Sequence, residues 1–194
     1  MSLFKKDQHS IFFSESFLLI LVIVTLLVGG IYVTDQQMLR LGANDPQIQL
    51  SEDLSHNLSS GQIDPSAAFQ NDLSIDLNQS ISPFSAVFDD QGNLISSNAH
   101  LGQSPLSLPS GIFDYVRQNG EDRITWQPRP GLRFATVINH FSSNDQSGFV
   151  MSGRSLREVE DRINQLTLQA GFGWLITLIA AYLLLFFFSK KKNL

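Results

Sequence analysis

The sequence predicts an α+β protein, a small antiparallel sheet flanked by helices and held between two transmembrane helices. Two uninterrupted apolar runs carry the membrane half of that prediction. Short alternating segments separated by turn residues carry the other half. Phe17–Val33 is seventeen residues without a charge, and Ala170–Phe188 is nineteen. At about 1.5 Å per residue these runs reach roughly 25 and 28 Å, near the ~30 Å hydrocarbon core. A helix in a soluble core seldom stays apolar on every face for so long.

Charge placement sets the expected orientation. All five lysines lie outside the two runs, at Lys5 and Lys6 and at Lys190, Lys191 and Lys192. Between the runs, Thr34–Gln169 holds eight arginines, no lysine and sixteen acids, a balance of −8. Lysine and arginine close to membrane ends favour the cytoplasmic side, whereas long loops cross whatever their charge. Both termini are therefore expected in the cytoplasm and the acidic middle outside it. A cleaved signal peptide is the alternative for the first run, with small residues at Val28-Gly29-Gly30. No cysteine is present, so the middle must fold without disulfides. Its acidity argues against nucleic acid as a partner.

The elements follow in order. A tail (1–16) precedes the first crossing (17–33), which is expected to run on as a helical stalk (34–61). Leu27, Ile31, Thr34, Met38 and Leu41 repeat at 4-3-4-3 spacing and predict a packing seam. Gly42–Pro46 interrupts it. Asp45 is the expected N-cap with Pro46 in the first turn, Leu50, Leu54 and Leu58 the apolar stripe, and Gly61 the stop. The domain proper is expected over 62–154. It opens on a polar stretch, 62–82, with little pattern. Phe84–Asp89, a DDQG turn and Asn93–Ser96 then read as a hairpin. Residues 102–111 read as loop, and Ile112–Val116 as a short helix ended by Gly120. Arg123–Gln127 and Leu132–Phe141 form a second hairpin around Pro128–Gly131. After a turn at 142–148, Phe149–Ser152 completes about five strands with little helix between them, which favours an antiparallel sheet. A capping box, Ser155 with Glu158, starts the last stalk helix (155–169). That helix feeds the second crossing (170–188) and a basic tail (189–194).

Catalysis finds little footing. His9, His56, His100 and His140 are scattered without metal-ligand spacing, and no nucleophile elbow, phosphate loop or dinucleotide fingerprint occurs. The chain is expected to be no enzyme, with no catalytic residue, metal or cofactor. A binding site is the better candidate. Tyr115, Trp126, Arg129 and Arg133 surround one hairpin, and aromatic walls with a guanidinium suit a small anionic ligand, a carboxylate or phosphate. Against this, Trp126 can simply fill the core while the arginines pair with outer acids. His140 fits a surface or core position better than a pH sensor. The helices offer an interface instead. Leu156, Val159, Ile163 and Leu166 repeat at heptad-like spacing, and Gly173, Thr177 and Ala181 form a small-xxx-small row. Pairing of the two crossings, a second copy, or another receptor are the occupants to weigh.

VFDDQGNLISSN followed later by GFVMSGRSLREVEDRINQL and a membrane helix resembles the extracytoplasmic sensor region of bacterial receptor histidine kinases, of PAS or Cache type. The resemblance is one of layout and local pattern and covers roughly Thr34–Phe188. It implies a PAS/Cache-like sheet whose first and last helices cross the membrane side by side, with ligand on one sheet face tilting or sliding the last helix. The kinase parts of that family do not follow in SKKKNL. Output is therefore expected through a partner in the bilayer, a homodimer or a separate membrane kinase. The alternative is a structural or accessory subunit of a cell-envelope complex that binds no ligand, or one half of a split receptor.

Overall fold

The structure, a computed structural model, describes residues 2–102, 104–143 and 146–191, with side chains described for those from 13 to 190. Two elements of the sequence reading fall outside these residues in part. Asn144 and Asp145 of the last turn lie outside them, as does Lys192 with the side chains of Lys5, Lys6 and Lys191. The chain forms two compact units, Arg40–Glu160 and a helical unit of 1–39 with 161–194.

The Arg40–Glu160 unit is α+β. Its five-stranded antiparallel sheet has the order β3-β2-β7-β6-β5, built from β2 (Phe84–Asp89), β3 (Leu94–Ser97), β5 (Glu121–Arg129), β6 (Leu132–Ser142) and β7 (Ser147–Ser155). Both hairpins appear where the turn residues place them. Asp89 Oδ1 accepts the N–H groups of Gln91 and Asn93, and Gly92 takes φ +82°. Gly131 does the same for the second turn at φ +77°, a conformation glycine adopts at no steric cost.

The sheet is covered on both faces, which simple alternation in β2 did not foretell. Phe84, Ala86 and Phe88 join Phe134, Ile138, Phe149 and Met151 on one face, under α3 (Ser110–Asn119) through Phe113 and Val116. Val87, Phe141 and Val150 face the other way, against α2 (Asp45–Ser59) through Leu54 and Leu58. The segment expected as a stalk is therefore partly a wall of the domain. Helix α2 stops as its sequence requires: Gln62 N–H bonds Asn57 O and Gly61 N–H bonds Leu58 O, with Gly61 at φ +72°, a Schellman ending. Its N-cap is Asn44 rather than Asp45. Leu50, expected on the apolar stripe, is 41% exposed, and Gln47 and Ser51 are buried in its place.

A further correction concerns the polar stretch 62–82. It contains β1 (Ile75–Asp76), which pairs in parallel with β4 (Ala99–His100) and carries Leu77 into the core. Two residues of strand held by long-range pairing leave no periodic trace.

The helical unit contains most of α1 (Ser2–Gly42) and of α4 (Arg157–Lys191), two helices long and apolar enough to cross a membrane. They run alongside each other. Trp174 Nε1–H donates to Thr25 Oγ1 at 3.0 Å, the Tyr32 and Thr167 hydroxyls meet at 3.1 Å, and Tyr182 packs edge-on against Phe13 and Phe17. The α1 face turned to α4 is Val24, Val28, Tyr32 and Leu39. The residues of the predicted seam, Leu27, Ile31, Thr34, Met38 and Leu41, are all exposed, Met38 by 67% although it borders a groove with Arg162 and Leu166. Where a helix is apolar all round, spacing alone does not say which face meets the neighbour.

Candidate functional site

Of the four predicted ligand residues, Trp126 belongs to the core. It is 7% exposed and its ring lies 5.5 Å from that of Phe134, its cross-strand partner. Arg133 precedes Phe134, so strand alternation turns it to the opposite face. There its guanidinium donates to Glu160 at 2.6 Å. Tyr115 is 51% exposed on α3. The four side chains do not converge on one pocket, because strand parity separates Trp126 from Arg133.

Arg129 lies differently. At the exposed end of β5, it reaches Asn78 Oδ1 at 3.5 Å and Leu101 O at 3.4 Å, both long contacts. Asn78 is a hub. Its N–H and Nδ2 donate to Asp76 Oδ1 at 3.0 and 2.8 Å, and its carbonyl accepts from Arg157 at 2.6 Å. These hydrogen bonds from Asn78, joined by the nearby His100 and by Gln79, hold the Asp76 carboxyl below the ordinary value against the opposing effect of burial. The turn after β1 thus ties Arg129 to Arg157 through one residue. Sequence reading passed over it, although the Asp76-x-Asn78 spacing is that of an Asx-turn.

Arg157 begins α4, and four further contacts root that helix in the sheet. Leu156 N–H bonds Arg133 O at 2.9 Å, and Ser155 Oγ accepts the Arg157 N–H at 3.3 Å. Arg154 donates to Glu158 at 2.7 Å, and Glu160 receives Arg133. The expected capping box takes another form. Ser155 still belongs to β7, Glu160 N–H closes the first turn on Leu156 O, and the Glu158 carboxylate is engaged by Arg154. Strand therefore passes into helix with no intervening loop.

The predicted interface residues divide. Leu156 and Val159 are half-buried within the domain. Ile163, Leu166 and Ala181 are half-buried in the helical unit, on the stripe that continues through Trp174 and Leu178. Gly173 and Thr177 lie off it, with the Thr177 hydroxyl turned to Gly173 O at 2.7 Å and open space where a Gly173 Cβ would stand.

A surface cleft of about 560 Å³ is lined in part by Asp64, Ser66, Asp89, Asp90, Gln91 and Ser147. Three carboxylates make it hostile to anions. Among the described residues no group of three histidines or acids is placed to hold a metal ion. No protein-family model matches the chain, and no curated protein matches it either.

Proposed function

We propose that the chain is a membrane-anchored sensor whose PAS/Cache-like domain lies outside the cytoplasm and passes its state along α4 to a partner in the bilayer. The observation that carries this reading is the Arg129–Asn78–Arg157 relay. A small carboxylate or phosphate that captured the exposed Arg129 guanidinium would outcompete its two long contacts, since charge-assisted bidentate pairs are the stronger ones. Asn78 would then lose one restraint, and the carbonyl that holds Arg157 at the root of α4 would move. The five-stranded sheet with helices on both faces supports the PAS/Cache-like assignment. Lysine outside the two runs supports cytoplasmic termini. Open apolar residues on α1 and the open Gly173–Thr177 face of α4 support a homodimer or a separate membrane protein such as a histidine kinase as the receiver.

The test is thermal denaturation of the full chain in detergent with simple carboxylates and inorganic phosphate, beside the Arg129→Ala variant. A ligand at a hundred times its dissociation constant adds roughly 2.7 kcal/mol, and the variant should lose that gain. No response from either protein contradicts ligand sensing at Arg129. It would favour the second reading, a ligand-free structural subunit of an envelope complex, for which the filled core around Trp126 and Phe84 speaks.

A further inference from the structure

The two halves of α2 sit on the sheet by unlike means. The C-terminal half is held by apolar packing, Leu54 and Leu58 against Val87, Phe141 and Val150. The N-terminal half turns Gln47 and Ser51 inward, both at 0% exposure. Among the described residues, neither the Gln47 amide oxygen and nitrogen nor the Ser51 hydroxyl has a hydrogen-bond partner. Leu50 beside them is partly exposed to solvent. The contrast with the rest of this face is sharp, because Ser85 and Ser152 bury their hydroxyls against each other at 2.8 Å. Buried polar groups left unmatched forfeit the hydrogen bonds water would give them. At the start of the helix Asn44 makes no side-chain capping hydrogen bond, so Pro46 and Asp45 of the first turn are left to hold it.

We propose that the N-terminal half of α2 is a releasable strap. It lifts from β6 and β7 while Leu54 and Leu58 stay docked, so the domain alternates between the strapped form described above and one in which Gln47 and Ser51 reach water. Release uncovers the part of the β6–β7 face that this half of α2 covers. The stretch with the poorest match between burial and polarity leaves first, as local opening draws on the least stabilised segments. The inference rests on packing alone and holds whether or not the domain senses a ligand.

Hydrogen–deuterium exchange of the full chain in lipid nanodiscs tests it. Amides of residues 49–53 are expected to exchange at least about tenfold faster than those of 56–59 and of central β6. Gln47→Leu combined with Ser51→Ala should slow residues 49–53 by about tenfold or more, because the desolvation cost is gone. Uniform protection across α2 and β6 in the unaltered chain overturns the strap. So does a double variant that exchanges no more slowly, which would show that buried water already satisfies both side chains.

Discussion

Arg157 donates to the carbonyl of Asn78, 79 positions earlier in the chain, at 2.6 Å. That one bond joins the turn after the shortest strand pair to the first residue of the last helix. Removing the guanidinium with Arg157→Ala should cost about 1–2 kcal/mol, the loss of a charge-assisted bond at a half-buried site. Amide exchange in residues 158–162 should accelerate at the same time. Chemical denaturation with exchange on the same samples checks both.

Asn78→Ala separates the relay from the root. The variant loses the Arg129 and Asp76 contacts of the side chain but keeps the backbone carbonyl that holds Arg157. It should stay folded, lose about 1 kcal/mol, and no longer transmit any anion effect from Arg129 to exchange in the first turn of α4.

The hydroxyl pair under α2 gives a sharper sign. Ser152→Ala leaves the Ser85 hydroxyl buried and alone, and should destabilise the domain by about 1–3 kcal/mol. Ser85→Ala with Ser152→Ala should cost less than the sum of the two single changes. A double-mutant cycle by denaturant melts measures that difference.

Acid should weaken the β2–β3 turn. Burial pushes the Asp89 carboxyl up, but hydrogen bonds from Asn93, Gln91 and Gly92 outweigh it and hold the pKa below the ordinary value. Because the folded value is the lower one, this stabilisation is complete above the unfolded value of about 3.9. It is lost as pH falls through the folded one. Asp64 and Asp76 are lowered as well and act in the same direction. Denaturant melts between pH 6 and pH 2 should show the decline, and Asp89→Asn should flatten it.

Gly153 tests the packing of the central strand. A Cβ there would stand 2.5 Å from the Phe84 ring and 2.7 Å from Thr136 Cγ2, both closer than side chains tolerate. Gly153→Ala should cost about 1–3 kcal/mol through overpacking, read as a lower melting temperature.

What the sequence revealed and what it concealed divide along physical lines. Both hairpins, the short helix ended by Gly120 and the stop at Gly61 were legible because turn chemistry is local. The strand at Ile75–Asp76 was not, since two residues held by distant Ala99 and His100 leave no pattern. Leu50 misled because the buried face of α2 runs through positions 47, 51, 54 and 58, which keeps Leu54 and Leu58 of the predicted stripe and leaves Leu50 to one side. Leu27, Ile31 and Met38 stay exposed beside α4, because a helix apolar on every side carries no phase to say which face meets which neighbour. Trp126 could be read as pocket wall or core from its neighbours alone, and its pairing with Phe134 placed it in the core. Asn78 went unnoticed because nothing in a single residue announces that three others will meet on it.

The account stands on the side of the membrane where the sheet lies. The chain has no cysteine, so single cysteines placed at Ser107, exposed on the domain, and at Ser2 report their compartments without background. On intact cells a membrane-impermeant maleimide should label the Ser107→Cys protein, and should label Ser2→Cys only after lysis. Labelling of Ser2→Cys on intact cells with Ser107→Cys protected until lysis would contradict the sensor reading.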